Sequence, residues 1–534
     1  MNVTKLFLER DGGGELTHLG SASSRICRTS GDLRVRVGNL AAALREFGVG
    51  SGDVVLIVGL SSVEMAESIL AAMNIGAAAV PFSPMLGVTH LSDVIARLAP
   101  KCCIFDDCPD PSVRRALETR GCALIPLKAT AETTAYGWTP YEKIIDRHAA
   151  TLAFADYEDG QPALVLHGSG SSGSLKAVAM THGALLRFFE YHNFVYSQYS
   201  DGPGSLTGTG ALITGLPLTH LAGLALCLQG LMSARRTFLM GFFLPDAFLK
   251  LVEEARCAFV MLVPSLYRSL LREPYLQQMD KSALRFCITG GEPCSFELIT
   301  RIEQAFGVPV VTAYSMTECL SGIGHLRHDL FARRVKPGSC GRQIFGEVAL
   351  RDAEDRQQPE FGELWVRNAT VRACYLDGHL NDEKLISGWF RTGDLFYRDS
   401  DGDFFHRGRT DDMFIVNGKN IYPSEIELLL MKHPAVEIAC AAPVEMPGKG
   451  PVPAVLVVAR QRVSIAELQE FFMKNGASHA VPRLIRLADA IPLIGPGKID
   501  RPAAIRLLRQ AALEASLESP APSPERHSHD RTRV

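Results

Sequence analysis

The sequence lacks the cysteine patterns that cross-link small folds or hold structural zinc. It has 13 cysteines in 534 residues, and no two of them form a C-x-x-C pair. An odd number of scattered cysteines argues against a disulfide framework and against a structural zinc site. We therefore expect a reducing environment and predict that the protein is cytoplasmic.

Charge of one sign and long apolar segments are also scarce. The net charge is −3 and no basic block is present, so we expect no nucleic-acid partner. The N-terminus has no long apolar core of a secretion signal. Residues 202–234 contain no Asp, Glu, Lys or Arg, but Pro217, Thr219 and His220 interrupt the roughly 20 apolar residues that a transmembrane helix needs. We expect a buried strand, loop and helix there, and no transmembrane segment.

What the chain does contain is an alternation of strand-like and helix-like segments. Residues 31–48 repeat apolar side chains at helical spacing, residues 54–59 form an apolar run typical of a buried strand, and a further helix and strand follow. The same alternation returns between residues 257 and 318, with a predicted helix over Phe296–Phe306. It predicts an α/β fold with parallel sheets and crossover helices.

The C-terminal part of the chain has a different pattern. Short apolar segments alternate with turn residues, which is typical of β-hairpins. We predict a large N-terminal domain of parallel-rich sheets and helices over residues 1–409, with a β-rich part over about 335–409. A small mobile α+β domain is predicted over residues 410–512, and a polar, disordered tail over residues 513–534.

The loop HGSGSSGSLKA, from His167 to Ala177, has the composition of an anion-binding loop. Glycines let the backbone approach a phosphate closely, while serine hydroxyls and Lys176 add donors and charge. In a Walker loop the lysine directly follows the last glycine. Here Ser174 and Leu175 separate Gly173 from Lys176, so the Walker mechanism is excluded. Taken alone, the stretch would suit a mobile surface loop at least as well.

This loop closely resembles the signature loop of the adenylate-forming superfamily. Further motifs of that superfamily follow in order over nearly the whole chain, and the set is similar to that of the fatty-acid and 4-coumarate-CoA ligases. The matching segments are residues 71–84, 216–223, 263–271, 284–293, 313–318, 336–342, 362–366, 388–395, 406–427 and 492–501.

The resemblance implies a two-step acid–thiol ligase that uses ATP and Mg²⁺, with coenzyme A as co-substrate. A carboxylate attacks the α-phosphorus of ATP to give an acyl-adenylate and pyrophosphate, and a thiol then displaces AMP. The residues that the resemblance assigns to ATP and AMP binding are Ser169, Gly170, Ser171, Ser172, Gly173, Lys176, Gly291, Glu292, Pro293, Tyr314, Asp394 and Arg409.

The resemblance also assigns catalytic residues. Lys498 would bridge the attacking carboxylate and the α-phosphate, although composition alone would favour a plain exposed lysine in a Gly/Pro loop. Thr317 and Glu318 would bind Mg²⁺ and phosphate oxygens. His220 would lie beside the substrate carboxylate, where it positions the substrate.

The implied change of chemistry between the two steps needs a moving part. Asp411 corresponds to the hinge about which the small domain rotates. The rotation would exchange the Lys498 loop for a CoA-side loop that contains Gly418 and Lys419.

The substrate class follows from what is missing near His220. Amino-acid-activating relatives carry an aspartate shortly before this position, and the stretch TGLPLTHLAG has no acid. We therefore expect a hydrophobic carboxylic acid without an α-amine. Coenzyme A is the expected acceptor, and an acyl carrier protein in trans is the alternative. The sequence leaves the oligomeric state open, with a homodimer as one possibility.

The chain departs from the usual spelling of the signature loop. Leu175 stands where proline is usual and Ala177 where glycine is usual, and both fall on the segment that handles pyrophosphate. Ser315 and Cys374 also replace common glycines. A second alternative is therefore an enzyme that uses preformed acyl-adenylate and performs only the transfer to a thiol.

Overall fold

The computed structural model describes residues 1–9, 15–19, 25–169, 175–197, 210–319, 322–325, 335–371, 374–375, 384–416, 418–446, 450–494 and 498–518. The chain divides into two compact units. The first comprises Met1–Asp411 with Leu493–Lys498, and the second comprises Asp412–Pro492 with Ile499–Val534.

A mixed sheet of seven strands lies at the centre of the first unit. Its order is β19-β8-β7-β4-β3-β5-β6. The strands are β3 (Val54–Val58), β4 (Ala78–Phe82), β5 (Cys102–Phe105), β6 (Ala123–Pro126), β7 (Pro162–Ser169), β8 (Leu175–Thr181) and β19 (Cys374–Tyr375). The neighbours from β7 to β6 are parallel, whereas β8 runs antiparallel to both β7 and β19. The predicted α/β arrangement is confirmed, with an antiparallel edge that the alternation did not indicate.

Helices cover both faces of this sheet. The helices of the first unit are α1 (Lys5–Leu8), α2 (Ser30–Glu46), α3 (Val63–Asn74), α4 (Gly87–Leu98), α5 (Pro111–Thr119), α6 (Ala131–Ala135), α7 (Tyr141–Asp146), α8 (His182–Ser197), α9 (Leu221–Met232), α10 (Pro245–Glu254), α11 (Pro264–Leu270) and α12 (Phe296–Phe306), with 3-10 turns at Pro84–Leu86 and Pro274–Gln277. Leu40, Ile69 and Phe188 pack in the core on one face, and Val94 and Leu117 in the core on the other. Burial of these apolar side chains is the main stabilising term.

Local signals explain where the helices begin and end. The Thr29 side chain accepts a hydrogen bond from the backbone N–H of Asp32, and the Thr29 backbone N–H donates to the Asp32 carboxylate. This reciprocal pair of bonds starts α2. Ser295 caps α12, and Gly307 ends it in the left-handed conformation at φ +73°.

Two further sheets complete the α/β part of the first unit. One has the order β2-β1-β10-β9, and the other is the parallel set β11-β12-β13. Their strands are β1 (Glu15–Leu19), β2 (Arg25–Thr29), β9 (Leu212–Thr214), β10 (Arg236–Met240), β11 (Phe259–Leu262), β12 (Phe286–Gly290) and β13 (Val310–Ala313).

The uncharged stretch 202–234 contributes a strand, a turn and a helix over its described residues, namely β9, residues 215–220 and α9. Within the described ranges, the structure has no helix that is long and apolar enough to cross a membrane.

The predicted β-rich part is present as antiparallel strands. A six-stranded sheet has the order β17-β16-β18-β21-β20, with β22 paired to β21, and a separate pair is formed by β14 and β15. These strands are β14 (Ile323–Gly324), β15 (Arg342–Gln343), β16 (Glu347–Arg351), β17 (Gln357–Gln358), β18 (Phe361–Arg367), β20 (Leu385–Ile386), β21 (Trp389–Arg398) and β22 (Phe404–Arg409). The side chain of Trp365 is buried in this sheet.

The second unit is a small α+β module. Its elements are β23 (Phe414–Val416), β24 (Lys419–Ile421), α13 (Pro423–Leu430), β25 (Val436–Met446), β26 (Gly450–Ala459), α14 (Ile465–Asn475), a 3-10 turn (Ser478–Ala480), β27 (Leu484–Leu487) and α15 (Arg501–Glu518). Short strands β28 (Leu493–Ile494) and β29 (Lys498–Ile499) form a pair where the chain passes between the units. Arg501 at the start of α15 makes two hydrogen bonds of 2.8 Å to the buried Glu427 of α13.

The last helix differs from the expected tail. It continues to Glu518, although disorder was expected from residue 513. Alanine, leucine and glutamate dominate this segment, and these residues have high helix propensity. Residues 519–534, the rest of the expected tail, lie outside the described residues.

Candidate functional site

The site is built at the carboxyl ends of the parallel strands β12 and β13. Their last residues, Gly290 and Ala313, are direct neighbours in register. A side chain at position 290 would come within 2.5 Å of the Ala313 carbonyl oxygen, so only glycine lets the two strand ends approach this closely. The predicted adenine segment Gly291–Pro293 and the predicted Tyr314 therefore leave the same edge of one sheet, where α/β proteins bind ligands.

A hydrogen bond joins this edge to the β-rich part. The Tyr314 hydroxyl donates to Oδ2 of Asp394 on β21 at 2.7 Å. The Tyr314 ring packs edge-on against Phe396, with ring centroids 4.8 Å apart. Burial, followed by the negative charge of Asp394, raises the pKa of the Tyr314 hydroxyl, which therefore remains a donor.

Asp394 is a buried carboxylate with several partners. The residue is only 5% exposed. Its Oδ1 atom lies 3.2 Å from Nε2 of His406 and 3.5 Å from a guanidinium nitrogen of Arg409. Burial acts to raise the pKa of Asp394, but His406, Arg409 and Tyr314 together hold it below its ordinary value. Asp394 is therefore an ionised acceptor. Sequence reasoning gave no role to His406, although it is the first residue of the matching segment 406–427.

The strand pair β21–β22 places Arg409 directly opposite Asp394. Gly393 has φ +76°, and a side chain there would approach the Arg409 guanidinium to 3.2 Å. Arg409 also lies 3.7 Å from the Asp411 carboxylate, which ends the first unit. The glycine in the TGD motif thus leaves room for the arginine beside the aspartate.

A small, mainly apolar cleft borders the same edge. Thr317 lines it together with Met180, Ala184, Phe188, Leu221, Cys319 and Thr370. Leu221 is the first residue of α9, and His220, which precedes it, is half-buried and occupies the N-cap position. The structure therefore places the predicted residue Thr317 at the cleft, and His220 directly precedes Leu221, one of the residues that line it. The half-buried Glu318 follows Thr317 in the chain.

Close packing next to His220 explains why the segment 216–223 ends in glycine. A side chain at Gly223 would meet the Leu216 and Pro217 carbonyl oxygens at 2.4 Å, so glycine is required where α9 folds against the turn that precedes it. The side-chain hydroxyl of the buried Thr219 has no hydrogen-bond partner among the described residues.

The signature loop connects the two strands of a hairpin. In the register of β7 and β8, Gly168 is opposite Lys176 and His167 is opposite Ala177. Lys176 is half-buried at the start of β8. Ala177 is 2% exposed and belongs to the core that includes Val165 and Phe82, so its side chain occupies a core position.

The described residues include only the two ends of the predicted phosphate-binding loop. Gly170, Ser171, Ser172 and Gly173 lie outside the described residues, and Ser169 is described only as strand backbone. Their assignment to phosphate binding stays a prediction.

One cation near the site was not predicted from the sequence. Lys384 is half-buried immediately before β20, and its Nζ lies 6.0 Å from the centroid of the Phe390 ring. Burial, and then the charge of Lys176, lowers the pKa of Lys384, while Glu318 acts in the opposite direction. The charge of Arg409 also lowers the pKa of Lys384, and the charge of Asp411 raises it. No motif marks this lysine, and the segment 376–383 before it lies outside the described residues.

The remaining predicted residues belong to the second unit or its boundary. Gly418, at φ +75°, lies in the turn between β23 and β24, and the exposed Lys419 is the first residue of β24. The predicted hinge residue Asp411 is the last residue of the first unit before Asp412 opens the second. Lys498 is described as backbone of β29, and its side chain lies outside the described residues.

Comparison with known proteins gives consistent matches over both units. The family model of AMP-binding enzymes matches residues 24–376, and the model of the AMP-binding enzyme C-terminal domain matches residues 425–498. The feruloyl-CoA synthase of Amycolatopsis sp is 30% identical over 485 residues, which cover 88% of this chain and 92% of that protein. The indoleacetate–CoA ligase of Aromatoleum aromaticum is 28% identical, with 87% and 90% covered. The solved structure of the amide bond synthetase McbA from Marinactinospora thermotolerans is similar with a TM-score of 0.78 at 26% identity, and the match covers 94% of this chain and 98% of that chain.

Proposed function

Since the chain belongs to the family of AMP-binding enzymes, we propose that it is an AMP-forming acid–CoA ligase whose acid is hydrophobic and lacks an α-amine. The observation that carries the proposal is the buried, ionised carboxylate of Asp394 beside Tyr314 and Arg409. A carboxylate of this kind can accept hydrogen bonds from two neighbouring hydroxyl groups, such as those of a ribose. The adenine would lie against Gly291–Pro293 and the Tyr314 ring.

The first step joins the acid to the nucleotide. One carboxylate oxygen of the acid forms a bond to the α-phosphorus of ATP, and the bond between that phosphorus and the bridging oxygen breaks, so that pyrophosphate leaves. The enzyme contributes position and charge neutralisation. We assign Lys176 and Arg409 to the phosphates and the Lys498 ammonium to the two anions that must approach each other.

The residues present also fit a magnesium ion. Magnesium usually keeps several waters and takes only one or two carboxylates in addition to substrate phosphates. Glu318 and the Thr317 hydroxyl supply a donor set of that kind, and the described residues hold no group of three or more His, Cys, Asp or Glu side chains that could bind a metal alone. When bound, the ion would neutralise phosphate charge.

The second step forms the thioester. The thiol sulfur attacks the carbonyl carbon of the acyl-adenylate, the bond from that carbon to the AMP oxygen breaks, and the thiol proton passes to solvent. We propose that His220 orients the acyl group in this step. Rotation at Asp411 would replace the Lys498 loop at the site by the CoA-side loop that contains Gly418 and Lys419.

The apolar cleft supports the choice of acid. Met180, Phe188 and Leu221 line it, and the seven residues that line it include no charged side chain. Such a lining disfavours a charged α-amine. Two relatives are named feruloyl-CoA synthase and indoleacetate–CoA ligase. These names support an aryl acid as the substrate.

The test is a screen of aryl and alkyl carboxylic acids with ATP, Mg²⁺ and coenzyme A. Mass spectrometry should detect an acyl-CoA thioester, and AMP and pyrophosphate should appear in equal amounts. A parallel reaction receives synthetic acyl-adenylate and coenzyme A without ATP. Thioester only in the parallel reaction would establish the transfer-only alternative, and acyl-adenylate without any CoA thioester would favour a carrier protein as acceptor.

A further inference from the structure

A β-bulge brings His406 to the same face of the β21–β22 hairpin as Asp394. In the register of the two strands, Asp394 is opposite Arg409. Two positions further along β21, Phe396 is opposite His406. On β22 these two partners are three positions apart, so this strand carries one extra residue, which is a β-bulge. Since paired residues share a face, an unbroken ladder would place Arg407 there instead of His406.

The neighbouring side chains show the result of the bulge. The Arg407 guanidinium lies over the Tyr397 ring, with its carbon atom 5.7 Å from the ring centroid. Tyr397 directly follows Phe396, so its side chain leaves the opposite face of β21. Gly408, next to the bulge, has φ +143°, a backbone conformation that L side chains rarely adopt. The bulge therefore turns the Arg407 cation away from Asp394 and puts an imidazole in its place.

The His406 ring is fixed beside Asp394 by contacts on two sides. It packs edge-on against Phe396, with ring centroids 5.3 Å apart, and lies 6.2 Å from the Tyr314 ring at an interplanar angle of 30°. Nε2 is 3.2 Å from Oδ1 of Asp394, and the His406 side chain is only 21% exposed. An ionised carboxylate only accepts hydrogen bonds, so the hydrogen of this bond is on Nε2. His406 thus donates to one oxygen of Asp394, and the Tyr314 hydroxyl donates to the other.

We infer that His406 is a positioning residue, which holds the Asp394 carboxylate in the orientation that accepts the ribose hydroxyls of the nucleotide and so favours ribonucleotides over deoxyribonucleotides. This inference rests on the proposed function and adds a residue to it. Two donors on different oxygens, His406 and Tyr314, prevent the carboxylate from rotating about its bond to Cβ. A carboxylate has about four acceptor positions, so each oxygen can still accept from a ribose hydroxyl.

The direct test is calorimetric binding of MgATP and of magnesium 2′,3′-dideoxy-ATP to the full-length protein. His406→Phe keeps an aromatic ring against Phe396 but removes the donor to Asp394. It should weaken the binding of MgATP by about fivefold, which is the effect of losing one typical hydrogen bond. It should leave the binding of the dideoxy nucleotide unchanged, because that nucleotide has no ribose hydroxyls to donate to Asp394.

Two further variants complete the comparison. His406→Gln keeps an N–H donor and should retain most of the affinity for MgATP. Arg407→Gln, on the exposed opposite face of the same strand, is the matched control and should bind like the unaltered protein. If His406→Phe weakens the binding of both nucleotides equally, His406 supports the fold in general, and the inference is overturned. Unchanged affinity for both nucleotides would overturn it as well.

The kinetics of the first step give an independent measurement. The ribose is not the group that reacts, so His406→Phe should raise KM for ATP by about fivefold and leave kcat and the KM for the acid unaltered. A fall in kcat with an unchanged KM for ATP would contradict the positioning role. If the unaltered protein binds MgATP but activates no acid, the proposed function fails while the binding test of His406 still stands.

Discussion

Tyr314 and Asp394 are 80 positions apart in the chain, and a hydrogen bond of 2.7 Å joins their side chains. The tyrosine follows the last strand of a parallel sheet, and the aspartate lies in the longest strand of the β-rich part. The bond therefore fixes two sheets of the first unit relative to each other at the place where the nucleoside is expected. It also contributes to the low pKa of the aspartate.

Asp394→Asn should reduce kcat/KM for ATP by about 100-fold. The substitution keeps the shape of the side chain but removes a charged acceptor, and each hydrogen bond to a charged group is worth about 1.5–3 kcal/mol. Initial rates of pyrophosphate release at varied ATP concentration measure the change. The exposed Asp107→Asn is a matched control and should leave the rate unaltered. An unimpaired Asp394→Asn enzyme with normal ATP dependence would remove Asp394 from the proposed site.

His182 should make the stability of the protein depend on pH. It is fully buried, its Nδ1 accepts a hydrogen bond from the Val3 backbone at 3.3 Å, and Tyr157 stacks on its ring. Burial, and then the charge of the N-terminus, lowers its pKa to about 4. The folded protein keeps the ring neutral, whereas the unfolded chain takes up the proton at an ordinary pKa of about 6.5. The contribution is therefore complete above about pH 6.5 and is lost as the pH falls towards 4.

Urea unfolding of the protein at pH 7.5 and pH 5 checks this prediction. The free energy of unfolding should fall by about 1–2 kcal/mol from this group alone, since one pKa unit corresponds to about 1.4 kcal/mol. His182→Gln should be less stable at pH 7.5 and should show a smaller drop at pH 5. An identical drop in both proteins would mean that His182 is not the group that titrates.

Ala177→Gly should restore the usual spelling of the signature loop without improving ATP binding. The Ala177 side chain is buried in the core next to β7, so its removal costs burial of a methyl group and adds backbone freedom. We expect a loss of about 1–2 kcal/mol of stability in denaturant unfolding and a change of less than about twofold in KM for ATP. A large gain in ATP affinity would show instead that the methyl group hinders the loop.

The pair of Arg501 and Glu427 should dominate the stability of the second unit. Arg501→Met would leave the buried Glu427 carboxylate without its cation, and breaking such a pair costs about 3 kcal/mol or more. Adding Glu427→Gln to that variant should recover part of the loss, because the remaining group is then neutral. Differential scanning calorimetry of the full chain measures both effects. A double variant as unstable as the single one would contradict the charge argument.

The sequence predicted most of the fold because its signals are local. The helix Phe296–Phe306 was predicted with both ends correct, since Ser295 and Gly307 mark them and apolar residues recur at helical spacing between. The strand β8 was missed because it follows the loop without a polar–apolar alternation of its own. Its pairing with β7 depends on a contact that becomes visible only in three dimensions.

The same limit applies to the site. The resemblance of the motifs predicted Tyr314, Thr317, Asp394 and Arg409 as site residues. The structure brings three of them, Tyr314, Asp394 and Arg409, into one cluster. His406 was given no role because its contact with Asp394 becomes visible only in three dimensions. Whether the loop residues and Lys498 take their expected roles stays a prediction.

The apolar cleft and the Asp394–Arg409 pair are built from different elements of the first unit, which has a practical consequence for engineering. Of the side chains that line the apolar cleft, Met180, Ala184, Phe188 and Leu221 come from β8, α8 and the start of α9, whereas the Asp394–Arg409 pair comes from a separate hairpin. If this cleft binds the acid as proposed, libraries that vary Met180, Ala184, Phe188 and Leu221 would search for new acids while Asp394 and Arg409 stay unaltered. Thr317 would then be the residue shared by the two parts, since it lines the cleft and is also assigned to the phosphates.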